Sequence, residues 1–420
     1  MSFPHDVIDM RRDLHRFPET AFLEYRTAAL VAERLSELGY TVRVGPDIMC
    51  MDGVRGIPDA QDIEAARVAA LHSGADPSWL NRMPGGQTAV CGELQRGAGP
   101  VVALRFDMDA LPVHEAEACQ HRPSADGFAS VHHGRMHACG HDGHTAIGLA
   151  VAERLSRLNA DWTGTLRLIF QPAEEGGRGA QPIVASGLLD DVDVFLAAHL
   201  GCQLSSGQIA LTADGFLWAE KWNVTFSGMA AHAAMCPEEG RNALLAAALA
   251  VPALYALPRD GQADTRINVG VFQGGRTRNV IADHAYLELE LRASAHEGLT
   301  RLTTGAKRAL EGAALMQGVD VEIDVYGTAI SAASDSAIMK RLEKAVFATG
   351  TGTVIQHWPI GGGDDATFMM QRVQEQGGQA GYCLIGADIA APHHASTFDF
   401  DEIALEKAVI LLTAFVENRA

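Results

Sequence analysis

Val101-Val102-Ala103-Leu104-Arg105-Phe106 runs straight into Asp107-Met108-Asp109. The first six residues, almost all apolar, read as a strand buried on both faces. The two carboxylates then fall where that strand emerges. Comparable runs stand at 166–170, 194–198 and 381–385, with helical stretches at 145–158 and 403–417. Strands separated by helices point to an α/β fold with a mixed sheet between helices. In such a sheet, ligands collect at the carboxyl ends of the strands.

The middle of the chain has another rhythm. A strand at 221–227 precedes an Ala/Leu-rich helix at 241–257. Strands at 265–272 and 285–291, a helix at 299–316 and a strand at 321–326 follow. The order β-α-β-β-α-β is ferredoxin-like. It predicts an inserted α+β domain at 213–331, with a larger domain built from 1–212 and 332–420. At the front, one helical region is expected over 3–38, capped by Gly39, then a strand at 40–44. Within an insertion at 46–84, the sequence predicts a helix at 59–67 and a turn at 79–84.

Bulk composition narrows the function. The chain has 420 residues, 47% hydrophobic and 20% charged, which suits a folded protein of two domains. A net charge of −19 argues against nucleic acid, which needs basic surface. Seven scattered cysteines fit a reducing compartment. No signal-peptide pattern and no apolar run of membrane-spanning length is visible, so a cytoplasmic protein is expected.

The chemistry concentrates in Met136-His137-Ala138-Cys139-Gly140-His141-Asp142-Gly143-His144. Thiol and imidazole suit borderline-soft divalent metals. Cys139 and His141 form the expected liganding pair, in a turn at a helix start where the helix dipole would favour the thiolate. His137 and His144 read as supporting residues. Two other readings stay open, a buried structural cysteine and a cysteine nucleophile. Glu174-Glu175 follows the 166–170 strand in a glycine-rich loop. One glutamate could bind metal while its neighbour moves protons, against the alternative of a solvated acidic turn. His199 is a ligand or a satisfied core histidine, and only one of His393 and His394 is expected to bind. The run Gly361-Gly362-Gly363-Asp364-Asp365 lacks the Lys-Ser/Thr of a phosphate loop and reads as a flexible turn.

Several strings together resemble the M20 metallopeptidase family, in its branch of amidohydrolases acting on N-acyl amino acids. They are Leu14-His15-Arg16-Phe17-Pro18-Glu19, residues 105–112, His137 to Thr145, Phe170-Gln171-Pro172-Ala173-Glu174-Glu175-Gly176, Ala231-His232-Ala233-Ala234, Asn279-Val280, and His394 ahead of Phe398-Asp399-Phe400-Asp401-Glu402. Residues 122–130 and the 46–84 insertion narrow the resemblance to hydrolases of p-aminobenzoyl-glutamate.

The resemblance implies a zinc-peptidase-like catalytic domain and a ferredoxin-like dimerisation domain. It implies two divalent ions, Mn or Zn, held by Cys139, His141, Glu175, His199 and His394, with Cys139 bridging. Glu174 is then the general base. Asp107 stands where the broader family has a metal-binding histidine, and Asp109 orients a ligand. His232 would reach across a dimer interface to the scissile carbonyl, and Asn279 and Arg292 would hold the free carboxylate of a small-molecule substrate. The expected reaction is hydrolysis of an N-acyl or N-aroyl amino acid amide, with hippurate-type or N-acetyl substrates as the alternative. The expected assembly is a homodimer or a heterodimer with a related subunit.

Overall fold

A computed structural model describes residues 6–117, 119–157 and 160–417. The expected helix start at residue 3, the helix end at 158 and the outermost residues of the larger predicted domain lie outside them. The chain divides into two compact units. One holds the residues up to Asp214, Ala332–Ile360 and the residues from Asp365 onward. The other holds Gly215–Ser331 together with Gly361–Asp364.

The larger unit is built on an eight-stranded mixed sheet. Its centre is four parallel strands, Gly164–Gln171, Val101–Asp107, Val194–Leu200 and Gln379–Ile385, in that spatial order. Thr41–Val44 and Val90–Arg96 extend one side antiparallel, and Gln208–Ala210 and Thr353–Ile355 extend the other. The helix His141–Ser156 packs against this sheet and against the helices Val7–Arg16 and Ile403–Glu417. Gly148 makes the close approach possible, since a Cβ there would stand 2.7 Å from the Phe106 and Phe170 rings.

Several elements depart from the sequence reading. The N-terminal helical region is two helices, Val7–Arg16 and Tyr25–Glu37. They break at Phe17, because Pro18 disfavours helical backbone in the residue before it. The expected turn at 79–84 starts inside a short helix, Pro77–Leu80, whose first turn is capped by Asp76 accepting from Ser78 N at 2.7 Å. The central helix begins at His141, four residues earlier than expected, and the Val194 strand extends through His199 to Leu200.

In the smaller unit, four antiparallel strands stand in the order Asp320–Ala329, Trp218–Ser227, His284–Ala293, Thr265–Gly274. The helices Ala243–Tyr255 and His296–Gln317 pack on it. This is the ferredoxin-like arrangement.

A buried arginine organises the centre of the larger unit. Arg105 sits in an otherwise apolar strand with its side chain fully covered. Its Nη1 donates to Asp107 at 2.6 Å, its Nε to Gln171 Oε1 at 2.8 Å, and its Nη2 to Asp365 at 3.3 Å. Asp365 also accepts from Gln171 Nε2 at 2.7 Å and from the backbone of Gly179 and Ala180 at 3.0 and 2.8 Å. Asp365 is therefore a buried anchor, and the flexible turn expected at 361–365 ends in the core. Arg105→Met would strand two buried carboxylates. We expect it to lower the unfolding free energy of this unit by roughly 3–5 kcal/mol, read from the denaturant midpoint. A change under about 1 kcal/mol would contradict the anchoring role.

Candidate metal centre

Every strand end named by the sequence contributes to one cluster in the larger unit. Asp107 and Asp109 stand at the end of Val101–Asp107, Glu174 and Glu175 follow Gly164–Gln171, and His199 is the penultimate residue of Val194–Leu200. Cys139 and His141 come from the start of the His141–Ser156 helix, and His394 from the segment after Gln379–Ile385. The donor atoms of Cys139, His141 and His199 lie within 4.8 Å of one another, and so do those of Cys139, Glu175 and His394. Cys139 belongs to both groups. A third group joins His141 to Glu174 and Glu175.

Hydrogen bonds set the imidazole tautomers. His141 Nδ1 donates to the Asp109 carbonyl at 2.9 Å, and His199 Nδ1 donates to the Leu200 carbonyl at 2.8 Å. In its neutral form each ring therefore keeps its lone pair on Nε2. The His141 Nε2 is buried without a hydrogen-bond partner. The His199 Nε2 stands 3.5 Å from the Cys139 sulfur. These two ring nitrogens, the Cys139 sulfur and two carboxylates form a donor set that fits divalent cations, and carbonyl-held histidines are a common support for metal ligands.

His144 cannot serve in the same way. Its Nδ1 meets Asp107 at 2.5 Å and its Nε2 accepts from Leu200 N at 3.0 Å, so both nitrogens are used. Asp107 is likewise filled, by His144 on one oxygen and Arg105 on the other. Burial pushes its carboxyl up, but His141, Arg105 and His144 together hold it well below the usual range. His137 is buried, and burial pushes its imidazole down to about 3. Asp109 accepts from Glu174 N and Glu175 N, one on each oxygen at 3.0 Å. It orients the glutamate pair through the backbone as well as His141 through its carbonyl.

Cys139 departs from the helix-dipole expectation. Burial, with the Glu175 charge adding to it, pushes its thiol well above the ordinary value. The helix starts beyond it, and its sulfur faces carboxylates, so a nearby cation is what would stabilise the thiolate.

The adjacent histidines divide their work. His394 takes left-handed backbone at φ 70°, and its Nε2 lies 3.3 Å from Glu175 Oε1. His393 turns the other way, with Nδ1 3.6 Å from the Cys139 sulfur. Ala173, just before the glutamates, is also left-handed at φ 52°. Its N–H is held at 2.9 Å by Glu24, a buried carboxyl pushed up to about 8 by burial and the Asp109 charge. Gly179 closes the loop where a Cβ would stand 1.7 Å from the Pro172 carbonyl oxygen.

Further support comes from residues whose role the sequence leaves unread. Arg11 is fully buried and pairs with Asp142 at 2.8 Å, Asp399 at 2.9 Å and Glu402 at 3.2 Å. His15 bridges Asp142 and Glu115 at 2.7 and 3.0 Å. The first helix, the start of the central helix and the segment before the last helix are thereby tied together. His15, Asp142, Asp399 and Glu402 carry their charge inside the quoted motifs, while Arg11 and Glu115 lie outside them, and nothing local names their partners.

The remaining candidates lie in the smaller unit. His232 is exposed, and its Nδ1 accepts from Ala234 N and Met235 N at 3.2 and 3.1 Å. Its proton is therefore on Nε2. Asn279 is its neighbour, for Ala233 N donates to the Asn279 carbonyl at 3.0 Å. Arg292 is elsewhere. It pairs with Glu290 at 2.9 Å, near the far end of the strand whose other end, His284, adjoins the Asn279 loop. Eight residues of strand, about 26 Å, separate His284 from Arg292. One chain therefore does not bring both Asn279 and Arg292 to a single carboxylate.

Residues 103–418 match Peptidase family M20/M25/M40. The chain is 42% identical to one of the subunits of the p-aminobenzoyl-glutamate hydrolase of Escherichia coli strain K12, covering 97% of this chain and 94% of that one. It is also 42% identical to the indole-3-acetyl-aspartic acid hydrolase of Enterobacter agglomerans, covering 97% and 95%. The crystal structure of the aminobenzoyl-glutamate utilization protein from Klebsiella pneumoniae superposes with a TM-score of 0.82 at 36% identity, covering 98% and 95%. With the same motifs placed at one set of strand ends, the chain belongs to Peptidase family M20/M25/M40.

Proposed function

We propose that this protein is a dimetal amidohydrolase that cleaves the amide between an aromatic acyl group and an acidic amino acid, with p-aminobenzoyl-glutamate as the first substrate. Cys139 carries the reading, since its sulfur belongs to two separate groups of ligand atoms. Cys139, His141 and His199 would hold one cation, and Cys139, Glu175 and His394 the other. Mn and Zn both suit such mixed sulfur, nitrogen and oxygen donors. When bound, the pair would supply Lewis acidity toward the amide carbonyl and the attacking water.

The chain's own groups do the rest. Glu174, fixed through its backbone by Asp109, removes a proton from the attacking water and returns one to the leaving amine. His232 presents an Nε2–H that can donate to the developing oxyanion. We assign His232 and Asn279 to the site of a neighbouring subunit. Arg292 meets the same substrate carboxylate only if it comes from the other subunit.

A partner surface supports this. Thr265–Gly274 is an edge strand of the four-stranded sheet. Phe272 on it, with Leu244, Leu245 and Tyr255 on the helix Ala243–Tyr255, is exposed. An apolar edge of this kind suits a second copy or a related chain. None of the described helices is long and apolar enough to cross a membrane, and none of the seven cysteines is in a disulfide among the described residues. The reduced cysteines suit work in the cytoplasm.

The equal likeness to an indole-3-acetyl-aspartate hydrolase supports a second substrate of the same kind. A side-by-side assay of p-aminobenzoyl-glutamate, indole-3-acetyl-aspartate, hippurate and N-acetyl amino acids, with defined Mn or Zn, decides among them. We expect the two aromatic acyl conjugates of acidic amino acids to be cut fastest. Preference for N-acetyl amino acids would overturn the substrate class.

Glu174→Ala should lower kcat by roughly 10²–10⁴ while two metals remain bound per chain, measured by elemental analysis. Loss of metal with activity retained would exclude the base role. Mixing the inactive Glu174→Ala and His232→Ala proteins should restore about a quarter of wild-type activity, because half the dimers then carry one intact site. No recovery after verified subunit exchange would place His232 in its own chain's site.

A further inference from the structure

We propose that His393 is a positioning residue that donates a hydrogen bond from Nδ1 to the Cys139 sulfur, on the lone pair left free when that sulfur bridges two cations. The inference rests on the reading of Cys139 as a shared ligand.

Three observations carry it. The His393 Nδ1 stands 3.6 Å from the Cys139 Sγ, within range for an N–H···S contact. Its Nε2 accepts from the Cys202 backbone N–H at 3.1 Å. A backbone N–H can only donate, so the ring proton of the neutral imidazole lies on Nδ1, toward the sulfur. The ring plane is also held. Phe398 lies against it with centroids 4.8 Å apart, and His199 meets it edge-on at 5.3 Å. The contact with Cys202 depends on unusual backbone, since Cys202 and Gln203 are both left-handed, at φ 50° and 61°. Left-handed backbone at His394 then sends that side chain to Glu175 instead. Adjacent histidines therefore approach the same centre in different roles.

A thiolate bonded to Cβ and to two cations keeps one lone pair. A hydrogen bond there draws electron density from the sulfur and leaves both cations more acidic toward their other ligands. It would also fix the direction of the sulfur, and so the side from which cations would be held.

The test uses the full-length protein loaded with Co(II), whose sulfur-to-cobalt charge-transfer band reports electron density on the thiolate. His393→Gln keeps an oxygen able to accept from Cys202 N–H but offers nothing to the sulfur. His393→Asn places an amide N–H near the Nδ1 position. We expect the band of His393→Gln to move to longer wavelength and the band of His393→Asn to stay with the wild type. A His393→Gln band at the wild-type position, or a His393→Asn band displaced as far as that of His393→Gln, would overturn the proposal. Absence of any sulfur-to-cobalt band in the wild-type protein would instead overturn the shared-ligand reading, and the two failures are therefore distinct.

Discussion

Arg105 is the constraint on which the site depends. A guanidinium inside a strand buried on both faces must be paired, or its burial is prohibitive. The sheet supplies Asp107, Gln171 and Asp365 as partners. Each then has a second task. Asp107 holds His144, Gln171 reinforces Asp365, and Asp365 takes two backbone N–H groups of the glutamate loop. One buried charge thus sets the far end of the loop that carries Glu174 and Glu175.

That loop is held at three places by carboxyl oxygens accepting from its backbone. Glu24 takes Ala173, Asp109 takes Glu174 and Glu175, and Asp365 takes Gly179 and Ala180. These anchors act on the main chain and not on the two glutamate side chains. The histidines follow the same logic, since carbonyl oxygens occupy Nδ1 of His141 and His199 and keep Nε2 for the Cys139 cluster. Left-handed backbone at Ala173, Cys202, Gln203 and His394 gathers around the centre. Such conformations cost about 1–3 kcal/mol each and persist where surrounding contacts overdetermine them.

Much of this is legible in the sequence. The apolar strands, the carboxylates and histidines at their ends, and the β-α-β-β-α-β order all depend on local pattern. So does the division between His141, a ligand candidate, and His137 and His144. What local pattern cannot supply is the pairing between distant segments. Arg105 in an apolar run announces a buried partner, but Asp365 lies 260 residues away in a stretch that reads as a turn. The Arg11–Asp142–Glu402 ties have the same character. A helix-start argument misjudges the Cys139 thiol because it ignores burial and the nearby Glu175. Motif resemblance names Asn279 and Arg292 together, and only the strand between them shows that they stand far apart within one chain.

The chemistry proposed for this centre requires Cys139 to be shared between two cations. A crystal structure of the metal-loaded protein, with anomalous differences collected at the metal edge, tests this directly. The account predicts two peaks, each at a bonding distance from the Cys139 sulfur of roughly 2.3 Å for zinc, with His141 and His199 on one side and Glu175 and His394 on the other. A single peak, or two peaks of which the sulfur touches one or neither, would contradict it.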